Sequence, residues 1–416
     1  MSRQPTVLRR LPDFRRVWIA TAVGAVGGQI TVVALPLVAA VLLGAQAWEL
    51  GVLSAAGTAP YLLASLPVGV WVDRSRHSRR LVVVCDVLSA LFLLLIPVAA
   101  AMEVLSLALL YVVAPLAGTT RVITAAASAR IVPGMLPRAD LLEGYSWITA
   151  SSATAQTVGP GLAGGLVALL GAPYAIAADA ASFLISARLM SGLPELPPVP
   201  ARRRNFGREL RQGHAAVFGN AQLRAVVVGA ATLNFAMVGI LAIAVLIVTR
   251  DAGLPVSAYG PLLLFLGLGS IGGAAVARPL ARRHGVAPPI VGATAVCGLG
   301  CLGWAAVDHS PVRAFLILAA SLFLTGLGFT VVETCGLALL QETIPAGVRG
   351  RVGSVVDFIT QGTKPLGALF AGVLGSVAGL RLTAVAIGLV ALTAVPWVVL
   401  SPLRQVPGAT PPSTEG

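Results

Sequence analysis

Ionisable side chains embedded in apolar sequence are the places where this chain can do chemistry. Lys364, the single lysine among 416 residues, stands mid-run, and Asp357, Gln361 and Lys364 follow i, i+4, i+7 on one helical face. A charge facing lipid costs at least a few kcal/mol, so this face is expected to line a cavity. Asp357 and Lys364 lie two turns apart, about 10 Å along the axis, so Gln361 or a water is the bridge between them. Glu333, in the preceding run, is the expected partner across the gap. In the N-terminal half, Asp86 and Arg121 are expected to pair from the inner thirds of adjacent runs, with Asp179 in the outer third of another. Each acid also reads as a structural ion pair or a helix cap. A carboxyl kept out of water favours its protonated form, so Asp86, Asp179, Glu333 and Asp357, with Arg121, are the proton-coupling candidates. Gln29, Gln156, Asn234, Gln361 and Lys364, near mid-depth, are the candidate hydrogen-bonders for a small molecule, with interhelical contact as the plainer role of each.

The elements that hold these residues are apolar helices. The chain is 57% hydrophobic and 11% charged with mean hydropathy +0.89, whereas soluble domains carry about 25% charged residues. Runs of about 20 apolar residues, each long enough to cross a bilayer, recur at 17–43, 48–72, 81–101, 104–127, 144–170, 173–193, 223–249, 256–278, 286–307, 312–335, 351–378 and 380–402. The expected fold is an all-α membrane protein of twelve spans in two six-helix bundles. The first run is too long for a secretory signal and reads as an uncleaved span.

Charge sets the orientation. With the N-terminus inside, 24 of the 29 Lys and Arg residues fall at cytoplasmic ends, three (Arg250, Arg313, Arg381) at external ends, and Arg121 and Lys364 within spans. Such a bias places both termini in the cytoplasm, in a plasma (bacterial inner) membrane. The net charge of +13 therefore reports topology and not a nucleic-acid surface, which would gather its arginines on one soluble face. Residues 1–193 form the first expected bundle, 194–222 a proline-stiffened linker with a basic amphipathic helix, 223–402 the second bundle and 403–416 a disordered tail. Cys85, Cys297, Cys301 and Cys335 lie in apolar runs as small buried hydrophobes, and the histidines fall in loops. No metal or cofactor is expected, no catalytic constellation appears, and no phosphate-binding loop is present, so an enzyme or an ATP-driven pump is the weakest reading.

Two pieces of sequence recur. Asp73-Arg74 with Arg79 and Arg80 is matched by Ala277-Arg278 with Arg282 and Arg283, at an offset of 204. Gln156-Thr-Val-Gly-Pro160 is matched by Gln361-Gly-Thr-Lys-Pro365, at an offset of 205. Parallel repeats of this kind are a transporter architecture. Gly69 is expected where a neighbouring helix crosses closely, and Gly159-Pro160 is expected to break the fifth helix and let it hinge.

The loop from Gly69 through Asp73-Arg74 to Arg79-Arg80 resembles, in a slightly longer form, the signature between the second and third helices of the major facilitator superfamily. Ala34-Leu-Pro-Leu-Val-Ala39, Asp179-Ala-Ala-Ser-Phe183, Arg349-Gly-Arg351 and Pro365-Leu-Gly367 are similar to segments of its drug and siderophore exporters, the transmembrane secretion effectors. Gly159-Pro160 with Gly164-Gly165, one residue further apart than usual, resembles a motif of drug/proton antiporters. The resemblance implies a secondary transporter in which Asp73 latches onto the N-terminus of the eleventh helix, with Gly69, Arg74, Arg79, Arg80, Gly159 and Pro160 serving the gate. The expected partners are the bilayer, protons and a small amphipathic or lipophilic compound, expelled by a monomer. An importer of a small metabolite and a non-transporting receptor on the same scaffold are the alternatives.

Overall fold

In hydrocarbon only a helix or a closed barrel satisfies its own backbone polar groups, and the described residues of this chain's apolar runs are helical over most of each run. The computed structural model describes residues 7–75, 77–194, 206–344 and 349–399. A short helix α1 (Val7–Arg10) leads into α2 (Pro12–Leu37), α3 (Ala47–Arg74), α4 (Ser78–Ala101), α5 (Leu107–Met135), α6 (Leu141–Leu170) and α7 (Ala172–Ser191). Then come α8 (Phe206–Gly219), α9 (Ala221–Leu246), α10 (Tyr259–His284), α11 (Ala287–Gly303), α12 (Pro311–Thr343), α13 (Arg349–Val377) and α14 (Leu380–Val399). The twelve long helices correspond to the twelve apolar runs. Nine of the described helices are long and apolar enough to cross a membrane on those grounds alone. The others are α3, α7 and α13, and the last two carry Asp179, Asp357 and Lys364.

The chain divides into two compact units, one of residues 1–45 and 56–202, the other of 46–55 and 203–416. In the first, α2 packs on α6 and α7, and α4 on α5 and α7. In the second, α10 and α11 both run along α12, while α13 and α14 pack on α9. The first ten residues of the second unit open α3, where a methyl on Gly51 would come within 2.7 Å of the Gly372 backbone. Helix α8, the amphipathic helix of the linker, buries Val217 against Leu223, Val352 and Val355. The linker's residues 195–205 and the tail lie outside the described residues, as do the side chains of Asp73 and Arg74, so the latch call falls outside them too.

Both units repeat one plan, in a register other than the motif offsets. Helices α2 and α9 each end in a π-helical turn, Val38–Leu42 and Ile247–Asp251. Left-handed glycines follow at Gly44 and Gly253, 209 residues apart, and Gly171 and Gly379, 208 apart, close later turns. In that register Gly159 corresponds to Gly367. The offsets of 204 and 205 matched similar residue types a few positions out of structural equivalence.

Arginines at the predicted cytoplasmic ends close helix termini. Arg130 donates to the carbonyls of Val72 and Ser75, the latter at 3.1 Å, where α3 ends. Arg79 donates to Ser191 (3.1 Å) and Leu193, and Arg16 to Gly192 (2.9 Å), all at the end of α7. Cations there meet the last carbonyls and the negative pole of the helix dipole.

Candidate functional site

In the first unit the buried chemistry gathers on Asp179, whose side chain is fully enclosed. Helix α7 presents the carboxylate, α2 supplies Thr31, whose hydroxyl donates to Oδ2, and α5 supplies Arg121, with Nη2 3.6 Å from the same oxygen. Ser182, one turn on, donates to the Asp179 carbonyl at 2.7 Å and lies 3.1 Å from Oδ1. A buried carboxylate persists only when paired and hydrogen-bonded, and here three helices contribute to that pairing. Two glycines make the room. A methyl on Gly27 would stand 2.6 Å from Asp179 Oδ1, and the Arg121 guanidinium lies 3.6 Å from the corresponding point on Gly28. Sequence reasoning missed both glycines, since a glycine pair in an apolar helix has no pattern of its own.

Arg121 was expected to pair with Asp86, and the structure corrects this. Helix α5 runs to Met135, beyond the predicted end of its span, which puts Arg121 at the helix midpoint and level with Asp179. Asp86 is buried between α4 and α7, where Ser186 donates to it at 2.6 Å, with Thr124 as a further partner. Ser89 and Thr120 join α4 to α5 in the same layer, 2.6 Å apart.

In the second unit the polar face of α13 carries Asp357, Gln361 and Lys364. Turning about the axis at 100° per residue, the exposed apolar residues Leu366, Leu369, Phe370 and Val373 occupy the opposite side. Lys364 and Gln361 therefore look away from the lipid-facing side of the helix. Lys364 interacts electrostatically with both Glu333 on α12 and Asp357 on its own helix. Helix α13 is fixed in this rotation by α9. Thr363 donates to the Ala231 carbonyl at 3.1 Å, and a methyl on Gly239 would meet the Gly367 carbonyl at 3.0 Å.

The remaining predicted residues fall in several environments. Gln29 lies across Gly159, where a methyl would come within 2.6 Å of its Cγ. Gly159 is thus a helix-crossing residue between α2 and α6. The expected break at Gly159-Pro160 is absent, because α6 continues as one helix from Leu141 to Leu170; a proline is tolerated within a membrane helix where its neighbours satisfy the freed backbone groups. Gln156 is exposed on α6. Asn234 is buried and its Nδ2 donates to the Ala230 carbonyl at 2.9 Å, which engages the amide within α9. Among the described residues no atom lies within 4 Å of the position a methyl on Gly69 would take, so the close helix crossing expected there is not found among them. Arg79 ties α4 to the end of α7, and Arg80 is exposed. All four cysteines are buried and unlinked, and among the described residues no group of three or more His, Cys, Asp or Glu gathers as a metal site.

Known proteins share this arrangement. The chain is 29% identical over 428 aligned positions to the multidrug efflux pump Tap of Mycolicibacterium fortuitum, covering 98% of this chain and all of that protein. It is 26% identical to the Tap pump of Mycobacterium tuberculosis (strain ATCC 25618 / H37Rv), covering 94% of each. Among solved structures, the nucleoside transporter NupG superposes with a TM-score of 0.73 at 13% identity, over 95% of this chain and 100% of that one. A bacterial homologue of the iron transporter ferroportin, in an inward-facing state, gives 0.72 at 15%, again over 95% and 100%. The family model of the Major Facilitator Superfamily matches residues 17–363. Twelve long helices in two repeated units, with ionisable groups on the long helices of each, and a family match over most of their length place the chain in the Major Facilitator Superfamily.

Proposed function

We propose that this chain expels small amphipathic or lipophilic compounds from the cytoplasm by alternating access, in exchange for protons. The observation that carries the reading is Asp179, enclosed among α2, α5 and α7 with Arg121, Thr31 and Ser182 around it. Protonating Asp179 removes the charge that holds Arg121. The guanidinium is then released, and the three helices lose the contact that fixes their spacing. A proton is in this way exchanged for a change of helix packing, which is what coupling requires.

The efflux direction is supported by relatives named as multidrug efflux pumps along nearly their whole length. Gln361 and Lys364, with Gln29 and Gln156, are the proposed substrate contacts. Sparse polar groups in an apolar setting suit lipophilic compounds better than sugars. Glu333 and Asp357 are the proposed second set of titrating groups, balanced by Lys364. The Gly69–Arg80 loop, with Asp73 as its acid, is proposed to serve the gate, and the chain to work as a monomer in the plasma membrane with both termini in the cytoplasm and no catalytic activity of its own.

The test is accumulation of a panel of dyes and drugs in cells expressing the wild type or Asp179→Asn, with and without a protonophore. The expected result is low accumulation with the wild type, restored by the protonophore, and high accumulation with the variant at equal protein level. Wild-type cells that accumulate more of a compound than cells lacking the protein, in a protonophore-sensitive manner, would indicate import instead.

A further inference from the structure

Helices α10 and α11 are joined by a single tight turn at Gly285, in the left-handed region with φ 77°. Both dock closely on α12 through glycines. A methyl on Gly273 would meet the Leu327 carbonyl at 2.5 Å, and one on Gly328 would collide with the Ala293 carbonyl. Between themselves α10 and α11 make little contact. The gap is a groove of about 370 Å³, open along one side and floored by Leu327 and Val331 of α12. Its walls are Val276 and Leu280 on one side and Gly292 and Val296 on the other. The lining is almost wholly apolar until its mouth, where His284 stands opposite Pro288.

The face of α10 that lines the groove has a definite order. Val276, Leu280, Arg283 and His284 follow i, i+4, i+7, i+8 and share one side of the helix. Two apolar positions are followed, about 5 Å beyond Leu280 along the axis, by two basic ones, His284 in the lining and Arg283 beside it on the same face, at the end that the arginine distribution assigns to the cytoplasm. Arg282 adds a third basic group one residue back, and all three are exposed. An amphiphile with an apolar tail and an anionic head matches this sequence of surfaces, and basic clefts between helices at the cytoplasmic side take anionic headgroups.

From this we infer that the groove between α10 and α11 binds an anionic phospholipid. One acyl chain lies along Val276, Leu280, Gly292 and Val296, and the phosphate sits at Arg283 and His284. The site is separate from the charged clusters above, and its occupant is part of the bilayer and not the transported compound.

Two variants address the two ends of the lipid. Arg283→Gln/His284→Gln removes the headgroup contact. Gly292→Phe fills the groove, and it does so without a backbone clash, since nothing lies within 4 Å of a methyl placed there. The measurement is native mass spectrometry of the purified full chain in detergent, supplied with equal amounts of phosphatidylglycerol and phosphatidylcholine. The wild type is expected to retain phosphatidylglycerol over phosphatidylcholine by about tenfold or more, the order given by basic groups at a membrane surface. In Arg283→Gln/His284→Gln the ratio is expected to fall toward one, and in Gly292→Phe one fewer lipid stays bound. Either variant behaving as the wild type overturns the inference. So does a wild type without headgroup preference, or a groove that takes a neutral dye in place of lipid.

Discussion

Asp179 and Arg121 are a pair whose removal in halves should differ from its removal whole. Arg121→Gln leaves a carboxylate fully enclosed with no cation, which costs about 3–5 kcal/mol when a buried pair is broken from one side. Asp179→Asn in that background takes away the stranded charge. We predict that thermal unfolding in detergent is lowered by several degrees in Arg121→Gln and largely restored in Arg121→Gln/Asp179→Asn, while both remain inactive in efflux. Additive losses in the double variant would show that the two residues act independently. The candidates themselves were legible, because a charge in an apolar run stands out at once. Their partners were not. Pairing depends on depth, and the apolar run ends at 127, eight residues short of Met135, where α5 itself ends. Gly27 and Gly28 gave no sign of their role until the guanidinium and carboxylate they accommodate were in place. Lys364 is legible for the same reason as Asp179, and Lys364→Ala is predicted to narrow the range of expelled compounds in the dye and drug panel, losing anionic or carbonyl-bearing ones first. An unchanged profile would remove Lys364 from the substrate site.

Helices in this chain are held at short distance by glycines, and two of them should respond in opposite ways to a side chain. A methyl on Gly326 would collide with the Leu266 carbonyl, so Gly326→Val should drive α10 and α12 apart. Overpacking costs about 1–3 kcal/mol, read as a lower unfolding temperature in detergent. Gly69→Ala meets open space and should unfold with the wild type. Equal stability of Gly326→Val, or a loss in Gly69→Ala, would contradict the packing described. At this scale the twelve apolar runs were readable from hydropathy alone, with ends shifted by up to eight residues, as at α5 and α12. The continuity of α6 through Pro160 was not readable, since it depends on neighbours that re-satisfy the backbone. Nor was the register of the repeat. Residue types recur at 204 and 205, whereas helix ends and turn glycines recur at 208 and 209, and only backbone geometry distinguishes the two. The arginines in the loops are read as a topology signal, but a second task, closing the ends of α3 and α7, depends on which carbonyls come within reach.

At the scale of the whole molecule the distribution of arginine predicts which ends face the cytoplasm, and labelling reads this directly. The four native cysteines are buried. Ser310→Cys, at the start of α12, should react with a membrane-impermeant maleimide in intact cells. Arg282→Cys, at the end of α10, should react only after permeabilisation, and the reverse pattern would invert the topology. In the repeat α12 is the counterpart of α5, so Arg121 and Glu333 stand on equivalent helices, whereas Asp86 and Asp179 on α4 and α7 have no acidic counterpart on α11 or α14, and Asp357 and Lys364 stand on α13; a shared architecture carries partly unlike chemistry in its halves. In the proposed mechanism a proton arriving at Asp179 is what resets the transporter. Proteoliposomes with an internal pH dye and an imposed pH gradient, given a compound that the wild type expels from cells, test it most directly. Proton movement on addition of the compound is expected with the wild type and none with Asp179→Asn. Compound flux through the wild type that is indifferent to the gradient, or substrate-driven proton movement that persists in Asp179→Asn, would contradict it.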